Sequence, residues 1–364
     1  MTEKRVNADA LRDFCVKVFE RLGVVHDDAW VTADNLVAAD LRGISSHGVA
    51  RLIRYVRGLQ DGVMKARADE RITRETPTTL VVDAGAGLGQ PASFRAMKKC
   101  IEKAGKMGVS FAVVNNSNHY GIAGYYAMMA LEHDMVGISM TNTDSLAVPT
   151  FGKDSLLGTN PIAVAIPAGR ERPYVLDMAT TVVPRGKLEV YDRLEKEMPM
   201  GWATDDSGLP SGDATRVLKS MNAHLGGGLL PLGGAGEEMS GHKGYGMMLL
   251  VEILTGVLSG AAFADGTYPK DKDGKPLPAN LGHFFGAFRV DHFRDVADFK
   301  ADMDRLIGTM KGSAKAVGQD RVYIHGEKEF EKTALHMKEG VPIHQKVDRQ
   351  LGEIGSELGI PYGL

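Results

Sequence analysis

The chain is poor in cysteine, has no block of like charge, and has no apolar run long enough to cross a membrane without interruption. Its two cysteines, Cys15 and Cys100, each fall within an apolar helical pattern. That excludes a disulfide framework and fits a reducing compartment. Lys and Arg number 43 against 46 Asp and Glu, a formal charge of −3, which gives no support for binding nucleic acid or an anionic membrane. The longest apolar stretch, residues 247–263, is broken by Glu252 and carries Gly256 and Gly260, so it reads as a buried helix. The first ten residues lack the apolar core of a secretory signal, and a cytoplasmic location is expected. Despite 11 histidines, no H-E-x-x-H, paired C-x-x-C or EF-hand spacing occurs, and no G-x-S-x-G nucleophile elbow.

What is present is an ordinary globular composition, 43% hydrophobic and 24% charged over 364 residues, enough for two or three domains or one large domain with an appended subdomain. Residues 1–75 read as helical, with Asn7 as an N-cap, apolar positions Leu11, Phe14, Cys15, Val18, Phe19 and Leu22, and Gly23 as terminator. After Pro77 the pattern changes. Strands are predicted at Thr79–Asp83, 109–115, 136–140, 162–166 and 174–178, with helices over 91–106 and 122–133 between them. A long apolar helix begins near Lys243, residues 264–281 read as a surface loop, and the last eighty residues read as mostly helical. The tail, Ile360-Pro361-Tyr362-Gly363-Leu364, has the composition to pack on another subunit. The expected fold class is α/β, a mixed sheet covered by helices. Residues 1–75 with about 285–364 would form a helical domain, and 76–284 an α/β domain.

Asp83-Ala84-Gly85-Ala86-Gly87-Leu88-Gly89-Gln90 stands between a strand and a helix, the context of a dinucleotide fingerprint. The spacing fails, because G-x-G-x-x-G from Gly85 needs glycine where Gln90 stands. A tight strand-to-helix turn is the better reading, and the fold is expected to be non-Rossmann.

The strongest local signal is Ser46-His47-Gly48 followed by Arg51 and Tyr55. With Ser45-Ser46 as an N-cap and Val49, Leu52, Ile53 and Val56 as the apolar period, His47, Arg51 and Tyr55 form a polar i, i+4 stripe on one helix. Histidine titrates nearest neutrality, and a helix N-terminus opposes its charged form. Arginine one turn on offers a planar fork for a carboxylate. Together they point to chemistry on a small 2-hydroxy or 2-oxo acid.

Other segments add weaker signals. Asn115 to Gly124 places His119 where a strand hands over to a helix. Asn160 precedes Pro161, and Asp177-Met178-Ala179-Thr180-Thr181 closes a strand, so amide and hydroxyl groups there are placed to hold a cofactor's amide or ribose. Lys243, between Gly241 and Gly244 near a helix start, has the makings of a pyrophosphate site. Glu327 offers a loop carboxylate for a ribose hydroxyl.

These segments in this order resemble the malate/L-lactate dehydrogenase family, which lacks a Rossmann fold and also contains sulfolactate, ureidoglycolate, diketogulonate and cyclic imino-acid members. The matching residues run from Arg42-Gly43 to Tyr55, then Asn118-His119-Tyr120-Gly121, Gly158-Thr159-Asn160-Pro161, Asp177-Met178-Ala179-Thr180, Gly186-Lys187, Gly201-Trp202-Ala203, His242 to Gly246 and His325-Gly326-Glu327. The resemblance implies a homodimer with its active site near the interface and reversible hydride transfer between NAD(H), or NADP(H), and a 2-oxo acid. Malate/oxaloacetate comes first, lactate/pyruvate second, with the other family substrates as alternatives. It makes His47 and His119 the two candidates for proton transfer, and Ser46 and Arg51 the groups that orient the carboxylate. Asn160, Asp177, Met178, Ala179, Lys243, Gly244 and Glu327 fall in segments lining the cofactor site. Thr181 replaces a frequent serine, and Arg185 either meets an adenosine phosphate or faces solvent. A non-catalytic ligand-binding protein on the same scaffold is the alternative from a different class.

Overall fold

The computed structural model describes residues 3–364. Helices α1 (Ala8–Arg21) and α2 (His26–Leu41) follow a short strand β1 (Glu3–Val6), and α3 (Leu52–Gln60) comes after two 3-10 turns. The Asn7 side chain accepts from the N–H groups of Asp9 and Ala10, both at 3.0 Å, satisfying two donors at the start of α1. Strands β2 (Arg71–Glu75) and β3 (Thr79–Asp83) then lead through α4 (Gly89–Met107), β4 (Val109–Ser117), α5 (Ala123–Met128), β5 (Met135–Thr141), β6 (Ile162–Ile166) and β7 (Tyr174–Met178).

A lobe follows, built from α6 (Arg185–Arg193), β8 (Ala203–Thr204), α7 (Ala214–Ala223), β9 (Gly228–Leu229) and α8 (Gly241–Glu252). Its small core gathers Leu188, Met198, Val217, Leu229 and Met248. The chain closes with β10 (Leu281–Arg289), α9 (Val296–Lys311), α10 (Glu327–Glu339), β11 (Val341–His344) and α11 (Gln345–Leu358).

The central sheet has seven strands in the order β2-β3-β4-β10-β5-β6-β7. Only β3 and β4 run parallel, and every other neighbouring pair is antiparallel. This mixed α/β arrangement is not the parallel order of a Rossmann domain. Alanine-rich faces of α4 and α5 cover one side of the sheet, around Met97, Cys100, Tyr126 and Phe285. A second core joins the N-terminal helices to the end of the chain, with Leu11, Phe19, Leu36 and Tyr55 against Val341, Ile343, Leu351 and Ile354.

Several expectations need correction. The sheet takes strands from beyond both expected boundaries: β2 lies within residues 1–75, and β10 runs through residue 285. β10 was hidden because its sequence, Leu281-Gly-His-Phe-Phe-Gly-Ala-Phe-Arg289, contains two glycines and no β-branched residue. The tail packs on its own chain, with Tyr362 edge-on to Phe14 at 5.1 Å and its hydroxyl donating to Asp348 at 2.6 Å. Among the described residues no helix is long and apolar enough to cross a membrane. The apolar stretch at 247–263 is not buried all round either, since α8 and the π turn Ile253–Val257 expose Leu249, Leu250, Ile253 and Val257.

Candidate active site

The predicted single helix carrying His47, Arg51 and Tyr55 is absent. Ser45–His47 and Val49–Arg51 are separate 3-10 turns, parted by Gly48 in an extended conformation, and only then does α3 begin. Asp40, near the end of α2, causes the break. Its Oδ2 accepts from the Val49 N–H at 2.7 Å, and a Cβ on Gly48 would lie 2.0 Å from Oδ1. Burial pushes the Asp40 carboxyl up to about 7, against the lowering effect of the Val49 bond. Ser46 caps nothing; its Oγ lies 3.0 Å from Nδ1 of His47. The exposed Arg51 uses Nε to donate to the Ser46 carbonyl at 2.7 Å, leaving its terminal nitrogens available.

His119 reaches the same place from the end of β4. Its ring stacks on that of His47, with centroids 5.6 Å apart and planes at 20°. Tyr55, fully buried on α3, sets its hydroxyl 2.7 Å from Nδ1 of His119, and the Gly121 N–H also donates to that nitrogen at 3.3 Å. The three stripe residues His47, Arg51 and Tyr55 therefore lie near one another, but across two turns and the start of α3 rather than down one helix.

Electrostatics keep both imidazoles neutral. Burial, then the charges of Arg51 and Arg54, pushes His47 down to about 4. Burial, then Arg54, His47 and Arg51, holds His119 well below the ordinary histidine range. Arg54 and Tyr268 were missed in the sequence. Arg54 Nη2 donates to the Tyr268 hydroxyl, and the guanidinium also stacks over the Tyr268 ring at 5.3 Å. Thus the segment read as a surface loop returns to the site. An aromatic residue in a polar, proline-containing segment was the one available clue.

The other site residues form two further groups. Asn160 donates to the Met248 carbonyl at 3.1 Å and to Glu252 at 2.7 Å, while its Oδ1 is buried without a partner. Thr180 bonds back to the carbonyls of Thr159 and Asn160. Met178 and Ala179 are half-buried at the end of the edge strand β7. Lys243 is exposed in the first turn of α8. Gly244 is pressed on the Leu232 backbone, where a Cβ would lie 2.1 Å from the carbonyl oxygen, so its role is close packing. Leu232 in turn donates to the Thr180 carbonyl at 2.9 Å. Asn160 and Gly244 are thereby linked through Thr180 and Leu232.

Asp177 accepts from the Gly124 N–H at 2.8 Å, tying β7 to the helix that follows His119. Burial raises its carboxyl to about 6, opposed by the Gly124 bond and by Arg42. Glu327 lies near the other end of β7, where the Val175 N–H donates to the His325 carbonyl. Its carboxylate meets Lys311 and Arg321, each at 3.2 Å, rather than Lys243 or Asn160. Among the described residues, no group of three or more His, Cys, Asp or Glu side chains is arranged to hold a metal ion.

This arrangement puts two neutral, stacked imidazoles next to two guanidiniums, a site suited to moving a proton on an anionic substrate. A family model described as malate/L-lactate dehydrogenase matches residues 6–352. The chain is 47% identical to a malate dehydrogenase of Pyrococcus abyssi over 357 residues, covering 98% of this chain and 95% of that one. The solved malate dehydrogenase of Entamoeba histolytica is 36% identical and superposes with a TM-score of 0.94, covering 100% of both chains. That of Pyrococcus horikoshii OT3 is 43% identical with a TM-score of 0.87, covering 99% of this chain and 97% of that one. By sequence over nearly its whole length and by fold, the chain belongs to the malate/L-lactate dehydrogenase family.

Proposed function

We propose that this chain catalyses reversible hydride transfer between NAD(H) and a small 2-hydroxy/2-oxo acid, with malate/oxaloacetate as the preferred pair. The observation that carries this reading is the stacked His47–His119 pair with Arg51 and Arg54 close enough to depress both rings. A guanidinium grips a carboxylate through two parallel N–H bonds. Two guanidiniums therefore suit an acid with two carboxylates, and malate dehydrogenases stand among the relatives.

When bound, the nicotinamide ring supplies or accepts the hydride. The chain's own residues handle the carboxylates and the proton. Arg51, braced on the Ser46 carbonyl, orients the carboxylate beside the reacting carbon. His119, with Nδ1 held by Tyr55, has Nε2 left to take the hydroxyl proton during oxidation and to return it during reduction. Two substrate carboxylates offset the arginine charges and let the imidazolium form at that moment. His47 and Ser46 flank the same oxygen as hydrogen-bonding neighbours.

The cofactor-side residues fit an anionic dinucleotide. The Lys243 ammonium is exposed at the first turn of α8. A Cβ on the exposed Gly186, at the start of α6, would meet nothing within 4 Å. Asn160, Asp177, Met178 and Ala179 would line the same side, and Glu327 would approach from the far end of β7. NAD is favoured over NADP because the Arg185 guanidinium is already engaged by Glu189 at 3.1 Å and Asn222 at 2.8 Å. The exposed apolar run Leu249, Leu250, Ile253 and Val257 supports a homodimer. Two buried free cysteines fit the reducing cytoplasm.

The test is loss of NADH absorbance with oxaloacetate, pyruvate and a panel of 2-oxo acids and cyclic imines, repeated with NADPH. Oxaloacetate with NADH should give the largest kcat/KM. Turnover of cyclic imines alone, or NADH binding without any turnover, would overturn the reading.

A further inference from the structure

The face of the sheet under α4 and α5 is apolar and rich in alanine, yet His283 on β10 is fully buried there beside Phe285. Its Nδ1 lies 2.7 Å from the Thr141 hydroxyl, and its Nε2 lies 2.8 Å from the Ser117 hydroxyl. The directions follow from the neighbours. The Thr141 oxygen sits 2.8 Å from the Asn142 carbonyl and 3.1 Å from that of Gly282, and carbonyls only accept. The one hydroxyl proton of Thr141 therefore goes to a carbonyl. Nδ1–H then donates to Thr141, and Nε2 accepts from Ser117. Burial pushes this imidazole down to about 3, so near neutral pH it keeps that single proton.

Ser117 ends β4, two residues before His119. There the ladder loses register: Leu281 pairs with Ser117 but His283 with Val114, two steps along β10 against three along β4. Asn116, inside this bulge, has a φ of 48°. Bulges of this kind bend a strand and re-aim the side chains beyond it. On the other side of His119, the Tyr120 ring lies flat on the His283 ring, with centroids 4.6 Å apart and planes at 12°. Asn118 is tied separately, donating to the carbonyls of Ala86 and Gly87 at 3.2 and 2.8 Å. His119 projects from between these anchors toward His47.

We propose that His283 is a positioning residue for the proton transfer: its Nδ1–H imidazole grips the turn at Ser117 and Tyr120 and so sets where the His119 ring meets the substrate oxygen. The inference rests on His119 being the proton carrier. Placement of that ring matters, because about 1 Å of displacement from a reacting geometry costs up to about a hundredfold in rate. A phenylalanine at 283 keeps a ring for Tyr120 and releases Ser117. A glutamine keeps an acceptor for Ser117 and gives up the stack.

The test uses His283→Phe and Ser117→Ala, which remove the same hydrogen bond from its two ends. Each should lower kcat for oxaloacetate reduction about tenfold, with KM for the acid and the NADH dissociation constant changed less than about twofold. The double variant should be no slower than the poorer single one, because groups that share one interaction do not add. His283→Gln, which offers Ser117 an acceptor again, should recover part of the lost kcat. Ring-nitrogen NMR of histidine-labelled protein gives a readout that needs no turnover. His283, assigned by its loss in His283→Phe, should show a protonated Nδ1 and a bare Nε2. The His119 signals, assigned by their loss in His119→Gln, should shift in Ser117→Ala. Should His283→Phe fold poorly, Ser117→Ala carries the prediction alone. An Nε2–H tautomer at His283, unchanged kcat in Ser117→Ala, or a KM that rises as kcat falls would overturn the proposal. A natural protein that turns over no 2-oxo acid would instead count against the dehydrogenase reading, while the His283 tautomer and the His119 shift would still test the grip on the turn.

Discussion

The imidazoles of His47 and His119 stack at 5.6 Å between centroids, so a proton on one raises the cost of a proton on the other. The pair therefore holds at most one proton while the flanking arginines are unneutralised. If it carries the acid–base step, His119→Ala should lower kcat by about a hundredfold, and His47→Ala by at least about tenfold. NADH affinity, followed by quenching of protein fluorescence, should change by less than about threefold. Equal losses in affinity and turnover would assign the pair to binding instead.

The depressed histidine pKa fixes the pH behaviour. The base is already unprotonated well below neutrality, since His47 sits at about 4 and His119 lies below the ordinary range. For malate oxidation, kcat/KM should stay level from about pH 8 down to about pH 5, because it reports groups of the free enzyme. An acid limb centred at the ordinary histidine value of about 6.5 would contradict the desolvated pair.

Stability follows from the same shift. His47 is harder to protonate when folded, so the unfolded chain binds more protons at mildly acid pH. Its contribution is complete above the unfolded value of about 6.5 and is lost as pH falls through about 4. His47→Gln should therefore lose less melting temperature than the natural protein between pH 7 and pH 5, measured by circular dichroism.

Arg54 offers a handle on substrate size. Arg54→Gln should raise KM for oxaloacetate by about tenfold or more, the scale of a charged hydrogen bond, and affect pyruvate much less. Parallel rises for both acids would show that Arg54 shapes the site rather than reading the second carboxylate.

Gly48 tests the turn that carries His47. Gly48→Ala drives a methyl group into the Asp40 carboxylate. It should cost about 1–3 kcal/mol in denaturant unfolding, the range for overpacking a well-packed site. Gly308→Ala, within helix α9 and with nothing within 4 Å of the added Cβ, provides a control for steric crowding.

Local pattern revealed much of this molecule. Thr79–Asp83, Ile162–Ile166 and Tyr174–Met178 are short apolar runs bounded by turn residues, and each forms the strand its sequence predicts. His47 and His119 stood out by residue type and by their places beside turns. Tyr55 stood out for the wrong neighbour: spacing paired it with Arg51, while its hydroxyl serves a ring 64 positions later. Arg54 and Tyr268 carry little local signature, because their roles arise only where α3 and a distant loop converge. β10 escaped for a related reason, since its aromatic residues acquire strand character by packing between β4 and β5.

That placement of β10 governs the order in which the chain can fold during synthesis. β4 and β5 each pair with β10 and not with one another, so β2-β3-β4 and β5-β6-β7 stay two separate half-sheets until residues 281–289 leave the ribosome. Contacts spanning so much sequence form slowly, and until then each half presents a naked inner edge to any neighbouring nascent chain. A chain arrested before residue 281 should accordingly demand chaperone capture or aggregate, while one released just after α9 should not.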